Sequence, residues 1–286
     1  MSGLRDQLVA SHYTLTGTPV GQPPRFTWDE RVAAAAGAGF TGIGMHWEDY
    51  DALRADGRSD DDLRVVLDEH GLRVVEIEFL WDWMLDGDRG RESREMEAKL
   101  LAMTDVFAPH HLNIGDIDMP DAGRPLSVVA ERFGEVCDRA ADHGTSVALE
   151  FLPWSGLPDL ATASDVVRAA GRSNGGVVLD AWHYFRGNPD DALLQAVAAD
   201  VVVGVQLDDA DAEAVGESYE DTVLRRRLPG EGSFDLVGLI GTIDAAGVDV
   251  PYSVEIMSTE QQALPVTQAA QRAYDAAAGV LASARR

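Results

Sequence analysis

Eight short apolar runs recur along the 286 residues, near 7–15, 40–46, 73–80, 110–116, 146–153, 176–182, 201–207 and 251–257. Longer stretches with helical periodicity lie between them. Runs such as Val147-Ala148-Leu149 and Val177-Val178-Leu179 read as strands of a parallel sheet buried on both faces. Eight strand-plus-helix units in a chain of this size predict a (β/α)8 TIM barrel, a fold of roughly 250 residues. A doubly wound open sheet would carry a glycine-rich phosphate turn after its first strand. Here the first run passes into Leu15-Thr16-Gly17-Thr18-Pro19, a loop without that fingerprint. No Pro/Ser-rich linker or charge block divides the chain, so residues 1–286 are expected to form one barrel domain.

End signals place the helices. Thr27 ahead of Asp29 and Glu30 predicts a capped helix over 27–38, and Ser59 with three aspartates predicts one over 59–70, stopped by Gly71. Further helices are expected at 93–107, 126–143, 162–171 from Thr162, 189–198 with Pro189 first, 234–246 and 260–283.

Four of the strand-like runs end in a polar residue: Glu150, Asp180, Gln206 and Glu255. An ionisable group at the end of a buried strand is costly unless something compensates it. In a barrel, chemistry sits at the carboxyl ends of the strands. These residues would close strands five to eight, side by side around half of the mouth. Three carboxylates and an amide gathered there call for a hard divalent cation, Mn²⁺ first, with Mg²⁺, Co²⁺ or Zn²⁺ as alternatives. The bland reading of each alone is a helix cap or a salt-bridge partner.

Other residues are expected near that mouth. His183, three positions after Asp180, can turn back over it; His12, His46 and Asp116 follow strands one, two and four, and Glu78 lies inside strand three. Trp47, Phe79, Trp81, Trp83, Trp154 and Trp182 gather after strands two, three, five and six, as the walls of a small-molecule pocket would. Arg225-Arg226-Arg227 form a local positive site that either grips a substrate oxygen or pairs with the acidic run Glu213, Glu217, Glu220 and Asp221.

Bulk properties exclude some partners. A net charge of −26 and a pI near 4.4 argue against nucleic acid and an anionic membrane surface. One cysteine, Cys137, rules out a disulfide framework within the chain, and no run has signal-peptide or membrane-spanning form. The expectation is a cytoplasmic protein that meets a small molecule and is open to assembly as a homodimer or homotetramer.

The ordered motifs resemble the sugar isomerase/epimerase superfamily with a xylose isomerase-like TIM barrel. Its relatives include ketose 3-epimerases, inosose dehydratases, hydroxypyruvate isomerases and 3-dehydroshikimate dehydratases. The family pattern is Glu on strand five, Asp with His three residues on, a ligand on strand seven, Arg before Pro-Gly-x-Gly, and Glu on strand eight. This chain supplies Glu150, Asp180 with His183, Gln206, Arg226 before Pro229-Gly230-Glu231-Gly232, and Glu255. The resemblance implies metal ligation by Glu150, Asp180, Gln206 and Glu255. It also implies proton transfer by Glu150 and Glu255 with help from His183. Arg226, His12, His46, Trp81 and Trp182 are expected to bind substrate. Two departures matter. Gln206 stands where most isomerases have His, a Gln that the dehydroshikimate dehydratases share, and Gly156 replaces an acidic residue of the ketose 3-epimerases. The endonuclease branch of the fold needs further His ligands and a basic surface, which this chain lacks. The expected activity is metal-dependent isomerisation or epimerisation of a polyhydroxylated carbonyl compound. Dehydration through the same first proton abstraction is the alternative, and a non-catalytic sugar-binding protein or subunit is the rival from another class.

Overall fold

The computed structural model describes residues 3–117 and 124–286. Eight parallel strands close a barrel in sequence order: β1 Leu8–Ala10, β2 Gly42–His46, β3 Val74–Leu80, β4 His111–Gly115, β5 Ser146–Glu150, β6 Gly175–Asp180, β7 Val202–Leu207 and β8 Tyr252–Val254. β8 pairs with β1 through Leu8–Tyr252, Val9–Ser253 and Ala10–Val254, which closes the ring. Because strand residues alternate in and out, the apolar outward set packs under the helices in one continuous core, with Ile43, Ile77, Leu112, Leu149 and Leu179 almost fully buried.

Local chemistry explains most boundaries. The helix Trp28–Ala38 begins at a complete capping box of Thr27 and Glu30, and Ser59 with Asp62 does the same for Asp60–His70. Gly39 and Gly71 end these helices at positive φ, which costs glycine no Cβ clash. Where the expected boundaries shift, a side-chain cap or a proline decides. Asp159 accepts from Thr162 N, so that helix starts at Leu160; Asp190 accepts from Leu193 N, so the next spans Asp191–Val201 with Pro189 outside it. Pro265 splits the expected 260–283 helix into Thr259–Gln262 and Val266–Ala284. The helix expected from residue 93 begins at Gly87. The first run holds only three strand residues, because His12–Leu15 turn into a helical segment pinned by Thr14 Oγ1 to Val254 O at 2.7 Å.

Three short helices follow strands directly or cross the mouth: Trp47–Ala55 after β2, Ala181–Arg186 after β6 and Ser218–Leu224 after β7. They carry His183 and Thr222 and place them at the carboxyl end of the barrel. Thr27→Ala should lower unfolding stability by about 1 kcal/mol, read from chemical denaturation, since it removes the hydroxyl that caps Glu30 N while the Thr27 N–H to Glu30 half of the box stays.

Candidate active site

Register sets the ring of polar groups. Glu150 and Asp180 are the last residues of β5 and β6, Gln206 is the penultimate residue of β7, and Glu255 lies one residue past β8. Asp180 pairs with Gln206, and Gln206 with Ser253, two residues before Glu255 on the same face. All four are buried.

Arg226 lies among them, itself fully buried. Its Nη1 donates to Asp180 Oδ2 at 2.7 Å, to Glu255 Oε2 at 3.0 Å and to Asp208. Thr222 Oγ1 accepts from Nε and Nη2 at 3.1 and 2.9 Å. Backbone bonds hold this arginine in place: Arg226 N donates to Met257 O, and Arg227 exchanges two bonds with Asp209. Asp209 in turn accepts from the N–H groups of Ala210, Gly230, Gly232 and Phe234. The Pro229-Gly230-Glu231-Gly232 turn is therefore fastened to the end of β7. A Cβ at Gly232 would meet Asp209 Oδ1 at 2.2 Å, so glycine is required there. Of the flanking arginines, Arg225 pairs with Glu220 of the acidic run considered for the cluster, whereas Arg227 pairs with Asp211 outside it.

His183 is brought into the same ring. Asp180 Oδ1 accepts its backbone N–H at 2.8 Å, which caps the Ala181–Arg186 helix. His183 Nε2 lies 3.0 Å from Glu150 Oε1 and 3.4 Å from Arg226 Nη2. One ring nitrogen cannot donate to the first and accept from the second at once. The shorter, carboxylate contact places the proton on Nε2. Glu150, Asp180 and His183 each offer a ligand atom within 4.8 Å of the others. Gln206 Nε2 reaches Glu255 Oε1 at 3.5 Å, and Ser11 Oγ donates to that same oxygen at 3.0 Å. Gln206 Oε1 is buried without a partner.

Burial and mutual repulsion shape the charges. Burial, countered in part by Arg226, pushes Glu255 up to about 8, with Glu150, Asp180 and Glu76 adding to the rise. Burial likewise holds Glu78 and Asp208 well above the carboxylate range, with Glu255, Glu76 and Glu150 acting on the first and Asp180 and Glu255 on the second. For Asp180 burial works upward, but Arg226, His183 and the capping bond outweigh it and its pKa falls. Carboxylates held this way, with an unpartnered amide oxygen beside them, fit a hard divalent cation.

A cavity of about 340 Å³ opens over these groups, and Tyr13, His46, Glu78, Glu150, His183, Arg226 and Glu255 line it. Phe79, Trp81 and Trp154 form aromatic wall. Five residues expected near the mouth, Trp182, Trp83, His12, Trp47 and Asp116, do not line this cavity. Trp182 is buried behind His183, ring centroids 5.3 Å apart, and does not line the cavity. Trp83 donates to Gly115 O at 3.0 Å and packs on Phe133 in the core. His12 and Trp47 line a neighbouring hollow. Asp116 accepts from Gly156 N at 3.3 Å, so it stands against the very position where the resemblance expected an acidic residue. Asp208 and Ser11 escaped the sequence reading, although each has the inward parity of Gln206 and Val9 on its strand. Thr222 and Tyr13 gave no such signal.

The xylose isomerase-like TIM barrel model matches residues 32–283. The chain belongs to this family. Within it, a 3-dehydroshikimate dehydratase of Pseudomonas aeruginosa is 28% identical over 244 residues, 84% of this chain and 37% of that protein. An inosose isomerase of Bacillus velezensis is 28% identical over 155 residues, 53% of this chain and 54% of that one. The chain thus spans from about a third to about half the length of these curated relatives. Among solved structures, the IOLI protein with a bound zinc atom superposes with a TM-score of 0.85 at 18% identity, over 96% of this chain and 98% of that one. L-ribulose 3-epimerase superposes with a TM-score of 0.72 at 19% identity, over 98% and 96%. At such identities the structural likeness is one of fold.

Two outcomes follow. Arg226→Ala leaves buried carboxylates unmatched and should destabilise the metal-free protein by about 3–5 kcal/mol in denaturant titration. For Glu255, a folded pKa of about 8 against an ordinary 4.5 means the folded state holds the proton more tightly. That stabilisation is complete below the ordinary value and is lost as pH rises toward the folded one. Chelator-treated protein should therefore melt lower at about pH 8.5 than at about pH 5, with Glu78 and Asp208 acting in the same direction.

Proposed function

We propose that the protein is a divalent-metal-dependent enzyme that moves a proton at the carbon beside a carbonyl of a polyhydroxylated compound, as an isomerase or epimerase. The observation that carries this reading is the pair of buried carboxylates, Glu150 and Glu255, that line one cavity from opposite ends of the polar arc, with His183 against the first and Arg226 against the second. Binding alone would not need both.

Glu150, Asp180, Gln206 and Glu255 are the proposed ligands, with Mn²⁺ the proposed ion. A cation held there supplies Lewis-acid polarisation of the carbonyl. Glu150 or Glu255 removes the proton next to that carbonyl. The other carboxyl returns a proton to the neighbouring carbon or to the opposite face. His183 Nε2–H, 3.0 Å from Glu150 Oε1, keeps that carboxylate oriented. Arg226, which lines the cavity and is already seated on Thr222, would offer its guanidinium to a substrate oxygen without moving. Phe79, Trp81 and Trp154 shield the site from water. The lone, buried Cys137 suits a reducing, cytoplasmic setting.

Dehydration is the second reading, favoured by two particulars: Gln206 on β7, and the alignment with a 3-dehydroshikimate dehydratase over 84% of this chain. There His183 protonates a departing hydroxyl after the same first abstraction.

Incubation in D₂O with 2-keto-myo-inositol or a free ketose tests the shared step. Isomerase or epimerase activity requires deuterium beside the carbonyl in a product of unchanged composition; dehydratase activity requires loss of water and a conjugated carbonyl chromophore. Glu150→Gln and Glu255→Gln should each lower turnover at least about a hundredfold. Near-normal turnover in both would overturn the two-carboxylate mechanism. Purified protein loaded with Mn²⁺ should hold one ion per chain, and His183→Ala should retain it while lowering kcat or raising KM. Loss of the ion in His183→Ala would make His183 a ligand, as its closeness to Glu150 and Asp180 allows.

A further inference from the structure

A second hollow of about 370 Å³ adjoins the cavity over Glu150 and Glu255, and the two share Tyr13 and His46 as a common wall. Its other walls come from the Trp47–Ala55 helix and from the loop at Gln22-Pro23-Pro24. The catalytic cavity alone, at about 340 Å³, has the volume of a small-ligand site. The second hollow doubles the space available to a ligand that reaches past His46.

Chemistry at the shared wall is defined. His46 Nδ1 accepts from Glu48 N at 3.3 Å, which leaves the proton on Nε2. Burial lowers His46 to about 4, so near neutrality it is an uncharged donor suited to a hydroxyl or ether oxygen. Tyr13 contributes a hydroxyl beside it, kept protonated by burial and by the nearby Glu78, Glu255 and Glu48. Aromatic wall continues from one hollow to the next: His46 stacks on Trp47 at 5.9 Å, and Trp47 meets Trp81 at 6.1 Å.

Charge in the second hollow is one-sided. Glu48, Asp49 and Asp51 line it, and no Lys or Arg does among the described residues. Two of these carboxylates are paired from outside the lining, Asp49 with Arg31 at 2.6 Å and Asp51 with Lys99 at 2.5 Å, whose ammonium lies over Trp47, so neither cation is open to an anionic ligand. Residues 118–123, Asp-Met-Pro-Asp-Ala-Gly, contain no cation in sequence. A carboxylate or phosphate here would meet like charge and no arginine fork, a costly placement.

We infer that this hollow is a second substrate subsite, which takes an uncharged, hydroxyl-bearing substituent of the ketone and rejects an anionic one. The inference rests on the function proposed above and makes a bare monosaccharide or cyclitol ketone a substrate that binds less tightly than a substituted one.

Three non-reacting probes test it by calorimetry on the full-length protein: myo-inositol, 4-hydroxyphenyl β-D-glucoside and 4-carboxyphenyl β-D-glucoside. The hydroxyphenyl glucoside should bind at least about tenfold more tightly than inositol, and the carboxyphenyl glucoside at least about tenfold more weakly than its neutral counterpart. Ala52→Trp, which fills the hollow from an exposed helix position, should lower the ratio of hydroxyphenyl glucoside to inositol affinity by about tenfold. Equal affinity for the two aryl glucosides, no advantage over inositol, an unchanged ratio in Ala52→Trp, or no binding of any probe would each overturn the subsite. Deuterium exchange into 2-keto-myo-inositol on the same preparation reports on the parent reading separately. Exchange without the probe preferences sinks the subsite alone, whereas absence of exchange counts against the chemistry proposed for Glu150 and Glu255.

Discussion

One guanidinium matched against three buried carboxylates is the interaction on which the mouth of this barrel depends. Asp180, Asp208 and Glu255 are all excluded from water, and all three bond to Arg226 Nη1. A single positive charge does not neutralise three negative ones, and burial together with this remaining imbalance raises the pKa of Glu255 and Asp208. The site is therefore poised to take up either protons or a cation. Such poise is stable only because the strand ends are held by the closed sheet, whose register cannot slip without turning every inward residue outward.

Much of this arrangement was legible in the chain. The apolar runs marked all eight strands because a parallel barrel buries both faces of each one. Glu150, Asp180 and Gln206 stood out as polar residues at the end of such runs, and Thr27 and Ser59 announced their helices by their own capping chemistry. What stayed hidden depended on contacts between distant segments. Trp182 sits in the same local pattern as Trp154, yet the turn of the Ala181–Arg186 helix sends it behind His183 and away from the cavity. Asp208 looks like one half of an acidic pair with Asp209. Only the fold shows that the first faces Arg226 and the second binds backbone N–H groups.

Beneath the mouth, the barrel interior is unusually polar for a packed core. Glu76, His111 and Asn113 face inward on β3 and β4, buried, with side-chain atoms that make no hydrogen bond, Glu76 Oε2 and His111 Nε2 lying 3.7 Å apart. Glycines stand opposite them: a Cβ at Gly44 would come within 3.0 Å of Glu76 Oε1, and one at Gly204 within 2.8 Å of His111 Cε1. Small residues on some strands thus make the room that long polar ones on others fill. Glu76 adds its charge to the field felt by Glu78 and Glu255, so the floor of the barrel takes part in setting the protonation of its mouth.

The fastening of the Pro229–Gly232 turn to Asp209 has a further consequence for recognition. A surface arginine surrenders considerable side-chain and loop freedom when it closes on a ligand, and that loss weakens binding. Here the backbone on either side of Arg226 is already tied to Asp209 and Met257, and its guanidinium is already seated on Thr222. The ordering is completed when the chain folds, before any ligand arrives. Discrimination between ligands then rests on the parts of the mouth that hold no such anchor, so related barrels can change what they accept by altering loops while the anchored arginine stays where it is.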